Sequence, residues 1–145
     1  MVTVNKKEKS VILSGMENRA APFKQTRKQH LLETAEDYTE LIAELLSKQS
    51  NVRTCHLAKE MGVSHVTIVK TLKRLARDNY LKRDGVNIIL TGKGIKLAAL
   101  SKKKHQILTQ FLLKIGVPKD VAACDVEGIE HHISEITLEA IAKLL

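Results

Sequence analysis

The stretch from Thr54 to Leu90 constrains the fold more than any other part of this chain. A helical apolar period breaks at Gly62, resumes after Ser64, and gives way near Tyr80 to two short β-prone runs around Asp84-Gly85. Thr54 can cap a short helix from Cys55 to Met61, which Gly62 ends by accepting a left-handed backbone. Ser64 then caps a second helix, His65 to about Arg77, with Val66, Val69, Leu72 and Leu75 or Ala76 expected to face inward. The runs 80–83 and 86–90, joined by Asp84-Gly85, read as a hairpin. Helix, tight turn, helix and hairpin in that order predict a winged helix-turn-helix with a two-stranded wing.

The flanks are helical. Tyr38, Leu41, Ile42, Leu45 and Leu46 recur at helical spacing between residues 33 and 48. Residues 1–31 show no apolar period and are rich in Lys, Arg, Asn and Gln, so they are expected to form a disordered basic tail. Downstream, after Thr91, a long helix should run to about Ile115, closed by Gly116 and Pro118. Short helices are expected over 119–124, 126–133 and 135–145. The fold class is therefore mainly α: a winged helix-turn-helix over residues 32–92 and a helical domain over 93–145. With two Phe, two Tyr and no Trp in 145 residues, the cores must be aliphatic.

The net charge of +8 is unevenly spread. Residues 50–104 hold 13 Lys and Arg against 3 Asp and Glu, whereas the segments on either side, 32–49 and 105–145, are net acidic. A basic block that coincides with a helix-turn-helix points to double-stranded DNA. The outward residues of the second helix are Ser64, His65, Thr67, Lys70, Thr71, Lys73 and Arg74. They place donors and acceptors at the end that would enter a major groove and cations further along, near phosphates. Lys82 and Arg83 lie on the wing, within reach of the backbone. No apolar run is long enough to span a membrane and no secretory signal is visible. Cys55 and Cys124 form no paired motif, so a cytoplasmic setting with both buried as small residues is expected.

The acidic segments carry the second pattern. Glu127, Glu130 and His131 stand at i, i+3 and i+4, which on a helix share one face. Asp37 and Glu40 stand at i and i+3 in the first helix, and His105 follows Lys102-Lys103-Lys104 in the long one. Together they make a plausible site of four carboxylates and two imidazoles drawn from three helices, whose carboxylates repel one another unless a cation sits among them. Oxygen and imidazole donors suit a hard or borderline divalent metal.

These residues resemble a known family. The likeness runs from about Thr34 to Leu145, through Glu36-Asp37-Tyr38-Thr39-Glu40-Leu41-Ile42, Val63-Ser64 with Leu72-Lys73-Arg74-Leu75, Leu90-Thr91 with Gly94, His105-Gln106-Ile107-Leu108 with Phe111-Leu112, and Asp125-Val126-Glu127-Gly128-Ile129-Glu130-His131-His132. The chain is similar to the manganese-responsive (MntR-type) branch of the diphtheria toxin repressor family. That resemblance implies a homodimeric repressor of metal-uptake genes that binds a DNA operator. It implies a two-metal Mn2+ site made by Asp37, Glu40, His105, Glu127, Glu130 and His131, with Glu40 and Glu130 bridging. Iron-responsive members have sulfur where this chain has Asp37 and Glu127; Fe2+ and Zn2+ remain the alternative ions. No organic substrate and no third, SH3-like domain are expected. Two other classes remain: a winged-helix regulator of an organic ligand, and a metal-dependent hydrolase. Against the hydrolase stands the lack of a nucleophile motif, an HExxH or a Gly-rich phosphate loop.

Overall fold

Ser64, Thr91 and Ser134 each open a helix by accepting a hydrogen bond from the backbone N–H three residues on, at 3.1–3.2 Å. The computed structural model describes residues 20–145. Its elements are α1 (Ala20–Lys48), α2 (Thr54–Met61), α3 (His65–Arg77), β1 (Leu81–Asp84), β2 (Asn87–Leu90), α4 (Gly92–Lys114), α5 (Lys119–Ile129) and α6 (Glu135–Ala142). Residues 32–145 form one compact unit.

The helix-turn-helix core is built from α1, α2, α3 and the wing. Ala35, Tyr38 and Ile42 of α1 pack with Val52, Leu57, Ile68, Leu72, Leu75, Leu81, Ile88 and Leu90. A second, smaller core joins Leu108 of α4, Val126 of α5 and Leu138 of α6. Both are aliphatic apart from Tyr38. Gly62 follows α2 with φ 64°, the left-handed stop its position requires. Asn79 takes the same role after α3, with φ 63°. There the Tyr80 and Asn79 N–H groups bond back to Leu75 and Ala76, a Schellman closure that aims the chain into the wing.

Several expectations need correction. The inward face of α3 is Ile68, Leu72 and Leu75; Val66 is 65% exposed. The helix carries apolar residues on two overlapping faces, and the one containing Ile68 joins the core with α1, α2 and the wing. Arg53, not Thr54, caps α2, and its N–H bonds to His56 Nδ1. The hairpin is shifted by one residue: Asp84 pairs with Asn87, leaving Gly85-Val86 as the turn. Gly85 has φ 59°, and a positive φ at the first turn position alone is the type II′ pattern. The segments 119–124 and 126–133 are not two helices; nothing at Asp125 interrupts α5, which ends at Ile129.

Residues 20–31, expected as the end of a disordered tail, are helical, with exposed side chains. Ala20-Ala21 with Pro22 in the first turn, followed by Lys, Gln and Arg, favours helix without any buried face. Residues 1–19, the rest of that tail, lie outside the described residues. Both cysteines are exposed rather than buried.

Candidate metal centre and nucleic-acid interface

Although α5 stops at Ile129, Glu130 keeps the αR backbone and stays beside Glu127 facing His105; only His131 leaves the helix. Glu130 caps the helix and His131 sits in the turn that follows. That break lets His131 reach α1 while Glu130 stays between α1 and α4. His131 Nε2 lies 3.1 Å from Asp37 Oδ1 and 3.5 Å from Glu130 Oε1. On the other side, His105 Nδ1 lies 2.9 Å from Glu130 Oε2 and 3.8 Å from Glu127 Oε1.

Two donor groups result: Asp37, Glu130 and His131, and His105, Glu127 and Glu130. In each, one ligand atom per residue falls within 4.8 Å of the others. Glu130 belongs to both and turns one oxygen to each, although it is only 4% exposed. Five of the six residues expected from the sequence are thus brought together. Glu40 is in neither group; its carboxylate accepts from the Ser101 hydroxyl. His132 pairs with Glu33 at 2.9 Å and stays outside both groups. The donors are oxygen and imidazole nitrogen alone, at spacings a divalent cation would close up, so these residues fit a metal.

The electrostatics of the site favour protons where no metal is bound. Burial pushes the Asp37 carboxyl up, and the carboxylates of Glu127, Glu36 and Glu33 add to that against the pull of His131. Burial likewise raises Glu130, opposed by the His105 hydrogen bond. For His131 burial opposes the charge, but the hydrogen bond to Glu36 and the carboxylates of Asp37, Glu36 and Glu130 outweigh it, so its value is raised.

All three groups therefore bind protons more tightly in the fold than in the unfolded chain. Their contribution to stability is complete below the ordinary carboxylate range. It is lost as pH rises through the raised values, first for the two carboxyls and last, above the ordinary histidine value, for His131. A metal needs the deprotonated forms. From the ordinary carboxylate range to above the ordinary histidine value, this component of metal-free stability should decline as pH rises, while the rise in Tm on adding Mn2+ grows. Thermal melts with and without Mn2+ check this; a metal-induced gain that shrinks with pH would contradict it.

The face of α3 opposite its core presents Ser64, His65, Val66, Thr67, Lys70 and Lys73 as exposed residues, with Thr71 and Arg74 half-buried. Ser64 is engaged as the helix cap. Arg74 has a buried Nη2 without a hydrogen-bond partner. On the wing Lys82 is exposed, whereas the Arg83 guanidinium reaches back to donate to Thr54 Oγ1 at 2.9 Å. Val66 was missed in the sequence as an outward residue because its spacing also suits the core.

The geometry of Glu36 and Lys104 was not anticipated either. Both are buried, and Lys104 Nζ donates to Glu36 Oε1 at 2.8 Å. In the sequence Lys104 is one of three consecutive lysines, and only its helix position separates it from the two exposed ones.

A winged helix-turn-helix whose first helix also carries part of an acidic and histidine cluster defines a metal-dependent DNA-binding regulator. The family described as iron dependent repressor matches in both its parts: the N-terminal DNA binding domain over residues 30–86, and the metal binding and dimerisation domain over residues 91–145. The transcriptional regulator MntR of Salmonella typhimurium is 40% identical over 129 residues, covering 88% of this chain and 82% of that protein. The HTH-type regulator MntR of Bacillus subtilis is 34% identical over 111 residues, covering 76% and 78%. A manganese-dependent transcriptional repressor solved with manganese superposes with a TM-score of 0.68 at 28% identity, over 76% of this chain. The chain spans about half the length of that structure, 51%. This chain belongs to the iron-dependent, or diphtheria toxin, repressor family, in its MntR branch. It is a transcriptional regulator and not an enzyme.

Proposed function

We propose that the chain is a manganese-activated repressor of metal-uptake genes that binds its operator as a homodimer in the cytoplasm. The observation that carries this is the shared Glu130, whose two oxygens face two separate donor groups. Asp37, Glu130 and His131 would hold one Mn2+ ion, and His105, Glu127 and Glu130 the other. Glu40, one helical turn from Asp37, would join them on leaving Ser101. Bound metal supplies positive charge that offsets the carboxylates and cross-links their helices. Without it, Asp37 on α1 and Glu130 are each repelled by Glu127. Because Tyr38 and Ile42 of α1 sit in the helix-turn-helix core, fixing Asp37 also fixes the DNA-binding head. Metal thus selects one conformation for DNA.

At the operator, His65, Val66 and Thr67 face bases, with Val66 suited to a thymine methyl. Lys70, Lys73, Arg74 and Lys82 serve phosphates. Ile136, Leu144 and Leu145, exposed at the C-terminal end, supply the apolar contact between copies. Calorimetry with MnCl2, followed by binding of DNA selected from a random pool with Mn2+ present, tests the reading. DNA affinity that is indifferent to Mn2+ would sink it.

Two variants probe the parts separately. Lys73→Ala should weaken binding to all DNA sequences and lower the salt slope by about 1, because one phosphate contact is lost. A changed sequence preference with an unchanged slope would place Lys73 at a base instead. Asp37→Met introduces a soft sulfur donor and should move the metal ranking from Mn2+ towards Fe2+. DNA binding titrated with Mn2+, Fe2+ and Zn2+ measures this; an unchanged ranking would remove Asp37 as the selectivity determinant.

A further inference from the structure

Beside the donor groups lies a pair more deeply buried than most of the ligands. Glu36 is 1% exposed and Lys104 is 7% exposed, on α1 and α4. Lys104 Nζ donates to Glu36 Oε1 at 2.8 Å, and Glu36 Oε2 lies 2.7 Å from His131 Nδ1. The opposite nitrogen of that ring, Nε2, faces Asp37 and Glu130. A buried ion pair is a poor way to hold two helices together, since desolvation of both charges offsets their attraction and an apolar pair of similar volume does as well. Its geometry serves another purpose.

We propose that Glu36, held by Lys104, is a positioning residue that keeps a proton on His131 Nδ1 and so presents Nε2 to the cation between Asp37 and Glu130. The proposal rests on the metal-centre reading above and adds which nitrogen binds and what determines it. An imidazole ligand is oriented by the partner of its second nitrogen, and a carboxylate there also makes the ring a stronger donor. Lys104 has a distinct part: its charge cancels that of Glu36, so the orienting carboxylate adds nothing to the net charge of the donor groups. A carboxamide could not replace Glu36. It has one acceptor oxygen, which Lys104, a donor only, would claim, leaving an NH2 against Nδ1.

Protein with 15N-labelled histidine, loaded with diamagnetic Cd2+, gives long-range 1H–15N spectra that report which His131 nitrogen holds metal and which holds hydrogen. The expected result is Cd2+ at Nε2 and hydrogen at Nδ1. Glu36→Gln should disturb that pattern and lower Mn2+ affinity about 10- to 100-fold. Glu36→Gln combined with Lys104→Met frees the amide oxygen for Nδ1–H and should restore both. Cd2+ at Nδ1 in the unaltered protein would overturn the proposal, and so would a Glu36→Gln protein with unchanged spectrum and affinity. If Glu36→Gln does not fold, the spectrum of the unaltered protein decides alone. Failure of the unaltered protein to bind either Mn2+ or Cd2+ would overturn the metal-centre reading itself, and this proposal with it.

Discussion

Replacing Glu130 by Gln should remove the response to every metal, with Mn2+ affinity falling at least a hundredfold. The carboxylate is 4% exposed and faces both donor groups, so its loss is felt twice. Leaving a buried charge without its partner costs about 3–5 kcal/mol, and each 1.4 kcal/mol is a factor of ten. Glutamine keeps the shape and one acceptor, so the metal-free fold should survive. Glu127→Gln is the useful contrast. Glu127 is exposed and belongs to one group, so its loss should weaken one ion and spare the other. Calorimetry with MnCl2 would show two ions for the unaltered protein, one tight ion for Glu127→Gln, and no tight binding for Glu130→Gln. Two ions bound with undiminished affinity by Glu130→Gln would mean that Glu130 bridges nothing.

Gly94→Ala should be the most damaging small substitution outside the metal centre. A Cβ at Gly94 would stand 2.0 Å from the Tyr80 carbonyl oxygen and 3.1 Å from its carbon, both backbone. That oxygen is already engaged by the Thr91 N–H and hydroxyl, so it has no freedom to withdraw. Either the start of α4 or the joint between α3 and the wing must shift. Overpacking on this scale costs about 3 kcal/mol or more, roughly 10 °C in Tm for a domain of this size. Since α4 also carries His105, Mn2+ affinity should fall in parallel. Gly92→Ala, two residues earlier with nothing within 4 Å, should be neutral or slightly stabilising. Melts of the two variants check the pair; equal Tm values would show that the contact at Gly94 can relax.

What the sequence made legible is what local chemistry determines. The cap at Ser64, the stop at Gly62 and the presence of a hairpin follow from a few neighbouring residues. The choice between Val66 and Ile68 as the buried residue of α3 does not, because both belong to apolar faces and only the packing of α1, α2 and the wing decides. The cluster of acidic and histidine side chains was legible through its motif, although the helix that carries Glu127 ends too early for simple spacing to place His131. The partnership of Lys104 with Glu36 spans 68 positions, and nothing near either residue announces it.

Asp37 and Ile42, one at the donor groups and one in the helix-turn-helix core, are five residues apart on α1, with no Gly or Pro between them. The donor groups and the helix-turn-helix core are therefore phase-locked on a single screw. One residue inserted between Glu40 and Ile42 would rotate one against the other by about 100°, at 3.6 residues per turn. The same insertion at Ser50, after the helix has ended, would leave that phase untouched.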